Sequence, residues 1–264
     1  MSELLGRIRR SDKVLYFCGW THLFLLCLFL LAAPWDDRLV TNINPWIKPM
    51  KFALSITIYS WTVALLLGML PDIGRARGLI RWGVAGTMTG EVLLIALQAA
   101  RGVPSHFNVQ TPFDAQVFGL MGLLILVNTL LGALLLFEFL WQEVSHPRPV
   151  VMGVRLALFV FLLASLEGMI IVLNQAHSVG GPDGGPGLPF LDWSTQYGDL
   201  RVAHAWGLHS LQALPLAAHL VSRRLGGRPL AIQLGAVAAV GLFWIGVFLF
   251  LFNRAMTGRP LITL

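Results

Sequence analysis

Residues 151–178 read VMGVRLALFVFLLASLEGMIIVLNQAHS, an apolar run with a single carboxylate, Glu167, in its second half. About twenty apolar residues are enough for one helix to cross the hydrocarbon core of a bilayer. A Gly/Pro-rich loop follows, and then a second apolar stretch. That second stretch carries Arg201, His204, His209 and Gln212. Polar side chains therefore lie where lipid is expected, which is costly unless they have partners or a function.

Apolar runs of this kind recur along all 264 residues, of which 56% are hydrophobic and only 12% charged. The pattern predicts an all-α, polytopic integral membrane helical bundle, one transmembrane domain over residues 1–264 with the lipid bilayer as its surroundings. The net charge of +6 comes from Lys and Arg dispersed among loops, with no basic helix, so no nucleic-acid partner is expected. Seven spans are predicted, near 14–33, 52–70, 79–100, 116–141, 151–174, 201–222 and 231–252.

The distribution of basic residues predicts the orientation. With a cytoplasmic N-terminus, twelve of the nineteen Lys and Arg residues fall on the inner side, as the positive-inside bias requires. The N-terminal segment MSELLGRIRRSDK has no small-residue cleavage site after it, so the first span is expected to be retained. The prediction is a multi-pass protein of a cell inner membrane, with its C-terminus and its three longer loops outside.

Two segments of the chain match each other. GEVLLIALQAARG at 90–102 lies over LEGMIIVLNQAHS at 166–178, so that Glu91 matches Glu167 and Gln98 matches Asn174. Each acid lies seven residues before its amide, which puts both on one face of a helix. The match predicts an internal repeat, about 79–141 and 151–222, of two helices each.

The two glutamates are the first candidates for chemistry. At 1.5 Å per residue, Glu91 and Glu167 lie roughly 18 and 24 Å from the inner ends of their helices, within the hydrocarbon. A carboxylate at that depth is protonated, paired or bound to a metal. We expect both residues to act as proton-exchanging or catalytic groups, or together with His209 as metal ligands.

The predicted sixth span places its polar residues on one side. Arg201, His204, His209 and Gln212 fall within an arc of roughly 140° on a helical projection, and that arc must face the bundle interior or water. Pro215 predicts a kink beside Gln212. His22, on the first span, is a further candidate ligand, and Gln98 and Asn174 are expected to line the same hollow. His106 and His177, in or next to loops, are expected to be solvated.

Four of the seven Lys and Arg residues predicted on the outer side, where the insertion bias does not favour them, are candidates for anion binding. One use of such residues is to bind an anion, such as haem propionates or a substrate carboxylate or phosphate, and the alternative is anchoring to lipid head groups. The four are Lys48, Lys51, Arg101 and Arg201.

Three functions remain open. The preferred hypothesis is a membrane oxidoreductase that holds haem b or a transition metal in the outer half of the bundle and exchanges electrons with a quinone or a periplasmic redox partner. His209 or His204 would supply one ligand, and His22 or the second member of that pair the other. The second is a proton-coupled transporter or channel that uses Glu91, Glu167 and His209 as a relay. The third is an outward-facing enzyme that modifies a lipid or a quinone. All three require these side chains to converge on one water-accessible hollow.

Overall fold

A computed structural model describes residues 2–263, and it confirms the predicted polytopic helical membrane bundle. Six helices are long and apolar enough to cross a membrane: α2 (Lys13–Ala32, continued by a 3-10 turn to Trp35), α3 (Ile47–Met69), α4 (Arg75–Arg101), α5 (Pro112–Trp141), α6 (Arg148–Asn174) and α9 (Leu230–Met256). The remaining elements are α1 (Ser2–Ser11), β1 (Ser178–Val179), β2 (Gly198–Asp199), α7 (Leu200–Leu208) and α8 (Ser210–Arg224).

The predicted span 201–222 is not one continuous helix. It consists of α7, with nine residues, and α8, with fifteen, which meet at His209. There the N–H of Gln212 donates to the carbonyl of His209 at 3.1 Å, a tighter bond than the α-helical pattern. Pro215 also has no N–H to donate to Leu211. The distortion expected beside Gln212 therefore lies three residues earlier, and neither helix alone reaches the length of a span.

Two short features could not be predicted from hydropathy. α1 is separated from α2 only by Asp12, whose extended backbone (φ −157°) ends α1 and whose carboxylate caps α2 through the N–H of Leu15 at 3.1 Å. β1 and β2 form an antiparallel pair in which Ser178 lies opposite Asp199. This pair closes the long loop between α6 and α7 at its base.

The chain divides into two compact units. Unit 1 comprises residues 2–68 and 72–131, which include α1 to α4 and most of α5. Unit 2 comprises residues 69–71 and 132–263, which include the end of α5 and α6 to α9. The internal repeat of 79–141 and 151–222 stays a prediction from the sequence.

In unit 1, α2 and α3 approach closely because Gly19 has no side chain. A Cβ there would collide with the indole of Trp61. The Trp61 Nε1–H donates to the carbonyl of Tyr16 at 3.1 Å, and the Thr57 hydroxyl donates to the carbonyl of Gly19 at 3.2 Å. The contact therefore combines close packing with two hydrogen bonds between helices, as is typical of membrane helices.

In unit 2, α6 presents small residues to α7 and α8. Gly153 faces Ala218 and the carbonyl of Leu214, and a Cβ on Gly207 would come within 2.5 Å of Ala164. Small residues let two backbones approach closely where the hydrophobic effect cannot drive helix association. This face, completed by Ala157 and Gly168, sets the positions of α7, which carries His204, and of α8, which carries His219. Its members are Gly153, Ala157, Ala164 and Gly168.

Trp206 and Trp244 connect α7 to α9. Their rings stack with centroids 4.0 Å apart, and each indole N–H donates to the other residue's carbonyl, at 3.1 and 3.2 Å. Both polar indole groups are therefore satisfied within an apolar contact.

Gly153→Ala should lower the stability of the protein by about 1–3 kcal/mol, because the new methyl group must displace Ala218 and helix backbone rather than a flexible side chain. The measurement is thermal unfolding of the purified protein in detergent. Gly246→Ala is the matched control, since a Cβ there meets nothing within 4 Å. Equal unfolding temperatures for the two variants would show that α6 does not pack this closely.

Candidate functional site

In unit 1, Glu91 faces His106. Glu91 lies ten residues before the end of α4, about 15 Å along the helix, and is 1% exposed. Its Oε1 is 3.9 Å from Nε2 of His106. Among residues 2–263, nothing donates a hydrogen bond to either of its oxygens, although Lys48 is close enough to act on it electrostatically. Most buried carboxyl groups in proteins have a hydrogen-bond donor, so Glu91 is a candidate for a functional role.

The His106 ring is enclosed by aromatic side chains. Phe52, Phe107 and Phe118 have ring centroids 6.0–6.2 Å from it. Its Nδ1 is 3.1 Å from the hydroxyl of Ser105, and its side chain is 21% exposed. A residue of the loop between α4 and α5 thus reaches the buried carboxyl group. Helical periodicity could not identify it, and the sequence suggested only a solvated histidine.

In unit 2, Glu167 faces His204. Glu167 lies seven residues before the end of α6, about 10 Å along the helix, and is 4% exposed. Nδ1 of His204 is 2.9 Å from its Oε2 and 3.0 Å from the carbonyl of Ala164. Because a carbonyl can only accept, we assign the proton to Nδ1. Within the described residues, Oε1 of Glu167 has no hydrogen-bond partner.

Gly168 makes room for this pair. A Cβ at that position would lie 3.0 Å from Cε1 of His204, closer than nearly all real contacts. The absence of a side chain at Gly168 lets the His204 imidazole pack against α6 beside the carboxyl group. Its side chain is 31% exposed, so the pair is buried on the Glu167 side and open on the other.

His22 is also held by its Nδ1. It is fully buried in unit 1, and Nδ1 is 2.8 Å from the carbonyl of Cys18, one turn earlier. Nε2 has no hydrogen-bond partner among residues 2–263. Cys18 extends the cluster, since its Sγ is 3.5 Å from the hydroxyl of Ser60.

His209 does not join Glu167. It is exposed at the junction of α7 and α8, and its Nδ1 is 3.3 Å from Oε1 of Gln212. The expected relay partner of Glu167 within unit 2 is therefore replaced by His204, five residues earlier on the chain.

The two arginines expected to bind an anion are paired within their own units. The Arg101 guanidinium lies 2.5 Å from Oδ1 of Asp114, which also accepts from the amide of Gln98 at 2.9 Å. Arg201 lies 2.7 Å from Asp199 and 3.3 Å from Asp192. A haem propionate or substrate anion would have to displace these carboxylates.

The other polar candidates have local roles or local partners. The Asn174 amide donates to the carbonyls of Ala176 and Ser178, which orders the start of the long loop in unit 2. Lys48 and Lys51 are half-buried at the start of α3. Asn174 therefore acts as a loop cap, whereas its counterpart Gln98 belongs to the Arg101 ion pair.

The described part of the chain contains no group of three or more His, Cys, Asp or Glu residues that could hold a metal ion. Glu91 belongs to unit 1, whereas Glu167 and His209, the other expected ligands, belong to unit 2. That finding concerns sites with three or more protein ligands, whereas a haem iron takes one or two. Comparisons with protein-family models, with characterised proteins and with solved structures found no match.

The long loop of unit 2 depends on a second imidazole–carboxylate pair, outside the spans. Nδ1 of His177 is 2.8 Å from Oδ2 of Asp183, and the backbone N–H groups of His177 and Ser178 donate to the same carboxylate at 2.9 and 2.8 Å. Burial acts to raise the pKa of Asp183, but these hydrogen bonds and the nearby imidazole outweigh it and hold the pKa below its ordinary value. The carboxylate form thus stabilises the loop.

Asp183→Asn should make the segment 176–199 open more often at neutral pH, because an amide cannot replace the charge-assisted bonds. A lowered pKa contributes stability above the unfolded value, near 3.9, and that stability is lost as pH falls through the folded pKa. Limited proteolysis of this segment should therefore differ between the variant and the parent protein at pH 7, and the difference should shrink in strong acid. Asp37→Asn, at an exposed position, is the control. A difference that grows on acidification would contradict this account.

Proposed function

We propose that the protein is a membrane transporter or channel that conducts protons, in which two buried glutamate–histidine pairs take up and release them. One observation carries the proposal: each compact unit has a buried glutamate within an apolar helix with an imidazole beside it, whereas the other buried glutamate of unit 2, Glu138, accepts a hydrogen bond from Gln142. The pairs are Glu91 with His106 and Glu167 with His204.

The Glu167 pair has the geometry for direct proton exchange. The two groups are 2.9 Å apart, within hydrogen-bond distance. At this distance a proton can pass directly between a carboxyl group and an imidazole, as between a general acid and a general base. The half-exposed face of His204 provides the route by which the proton is exchanged with the surroundings.

In the Glu91 pair the carboxyl group and the imidazole are farther apart than in the Glu167 pair. At 3.9 Å the two atoms of the Glu91 pair are beyond hydrogen-bond distance, and a shift of about 1 Å closes the gap. His106 is on a loop, which moves more readily than a helix, whereas His204 is held within α7. We therefore assign the gating movement to the loop between α4 and α5.

The proposal includes an orientation. The positive-inside bias of the Lys and Arg residues favours a cytoplasmic N-terminus in a cell inner membrane. Both glutamates are then nearer the outer ends of their helices, at about 15 and 10 Å. Protons would enter from the outer side.

Glu167→Gln should lower proton flux by about a hundredfold, the usual scale for loss of an acid–base group, because the amide cannot exchange a proton. The measurement uses the full chain in phospholipid vesicles that contain a pH-sensitive dye, with a potassium diffusion potential as the driving force. Glu91→Gln is expected to behave likewise.

Glu143→Gln, at an exposed loop position, is the matched control and should keep the parental flux. Flux in the parent protein no greater than in protein-free vesicles would overturn the proposal. So would a Glu167→Gln protein that conducts normally.

A haem-binding oxidoreductase is the second candidate, favoured by the way His204 and His22 are held. Each histidine anchors Nδ1 on a carbonyl, and His204 also on Glu167, which leaves Nε2 of His204 for another group, whereas the His22 ring also interacts with the backbone of Met88. Histidines that ligate metals are commonly oriented in this manner. An absorption spectrum of the purified protein without a Soret band would remove this candidate.

A further inference from the structure

The N-terminal helix α1 is amphipathic, a property that neither proposed function uses. On a projection of 100° per residue, Leu4, Leu5 and Ile8 share one side, and the arginines occupy the opposite arc. Ile8 is 2% exposed, whereas Leu4 is 54% exposed. The three arginines, all exposed, are Arg7, Arg9 and Arg10.

Two contacts fix α1 at one end of unit 1. Ser11 lies against Gly68 at the end of α3, where a Cβ would collide with it. Oδ2 of Asp12, whose side chain is fully buried, lies 2.9 Å from Nε of Arg81 near the start of α4. Because α2 begins at Lys13 and is an apolar span, α1 lies where that span reaches the head-group region.

This end of unit 1 is strongly basic. Residues 2–13 and 72–81 together hold seven Lys or Arg residues and three acids, of which Asp12 is already paired with Arg81. At the opposite end, residues 33–51 and 101–114 hold four Lys or Arg residues and three acids. The exposed ring of Trp82, beside Arg81, is typical of the membrane–water boundary.

We infer that α1 is a binding surface for anionic phospholipid head groups. Its apolar side, through Leu4, reaches the boundary of the acyl chains, while Arg7, Arg9 and Arg10 meet lipid phosphates. An amphipathic helix with basic residues opposite its apolar side binds membrane surfaces in this way. Each cation near an anionic surface strengthens binding roughly fivefold.

The test titrates the full-length protein in nonionic detergent with phosphatidylglycerol or, in parallel, phosphatidylcholine, and measures bound lipid by native mass spectrometry. We expect the parent protein to bind phosphatidylglycerol preferentially. The triple variant R7Q/R9Q/R10Q should bind it at least tenfold more weakly. The charge-retaining variant R7K/R9K/R10K should keep most of the affinity, which separates loss of charge from loss of folding.

The matched control is R223Q/R224Q/R228Q, which removes three exposed cations from the end of α8 and the loop that follows it in unit 2 and should leave the affinity unchanged. Equal binding of the two lipids would overturn the inference. So would an equal loss in the control variant, which would indicate general loop charge. Competition by inorganic phosphate at millimolar concentration would assign the surface to a free anion instead.

Discussion

The hydrogen bond between Glu167 and His204 depends on how closely α6 approaches α7. A carboxyl group within an apolar helix is stabilised only by a proton, a cation or a hydrogen-bond donor. The donor here comes from a different helix and lies 2.9 Å away. That distance requires the small residues of α6: Gly168 makes space for the ring, and Ala164 supplies the second acceptor and the contact with Gly207. The packing of unit 2 and its chemistry thus rest on the same helix face.

The two units arrange the same pair of groups differently. In unit 2 both members are on helices, and the loop that follows α6 is ordered by its own ion pairs, including Arg201 with Asp199. In unit 1 the imidazole comes from a loop and lies among phenylalanine rings. The Arg101–Asp114 ion pair fixes the two ends of that loop. The proposed gating rests on this difference between an imidazole on a loop and an imidazole on a helix.

The helices could be predicted from hydropathy because the bilayer imposes their length. The break at His209 could not, since a 3-10 turn changes backbone bonding without changing the apolar pattern. α1 was missed for the related reason that ten amphipathic residues carry little mean hydropathy. Glu91 and Glu167 were identified because a charge in an apolar run is conspicuous. Helical periodicity also placed His204 on a polar face, but it could not show which histidine reaches Glu167.

Loop residues were beyond sequence reasoning. His106 reaches Glu91 only because the chain after α4 folds back, and no spacing rule describes that path. The expected role of Arg101 and Arg201 in anion binding likewise did not take their acidic partners into account. Asp114 is on the helix after that of Arg101, and Asp199 caps the helix in which Arg201 lies. The positions of the charged residues could be read from the sequence, whereas the ion pairs that they form could not.

The most direct test of the central contact is solid-state NMR of the protein in bilayers, measuring the dipolar coupling between the His204 ring nitrogens and the Glu167 carboxyl carbon. The account predicts a strong coupling to Nδ1, as the 2.9 Å contact requires, and a clearly weaker one to Nε2. Coupling of Glu167 to a different side chain, or to none, would contradict it.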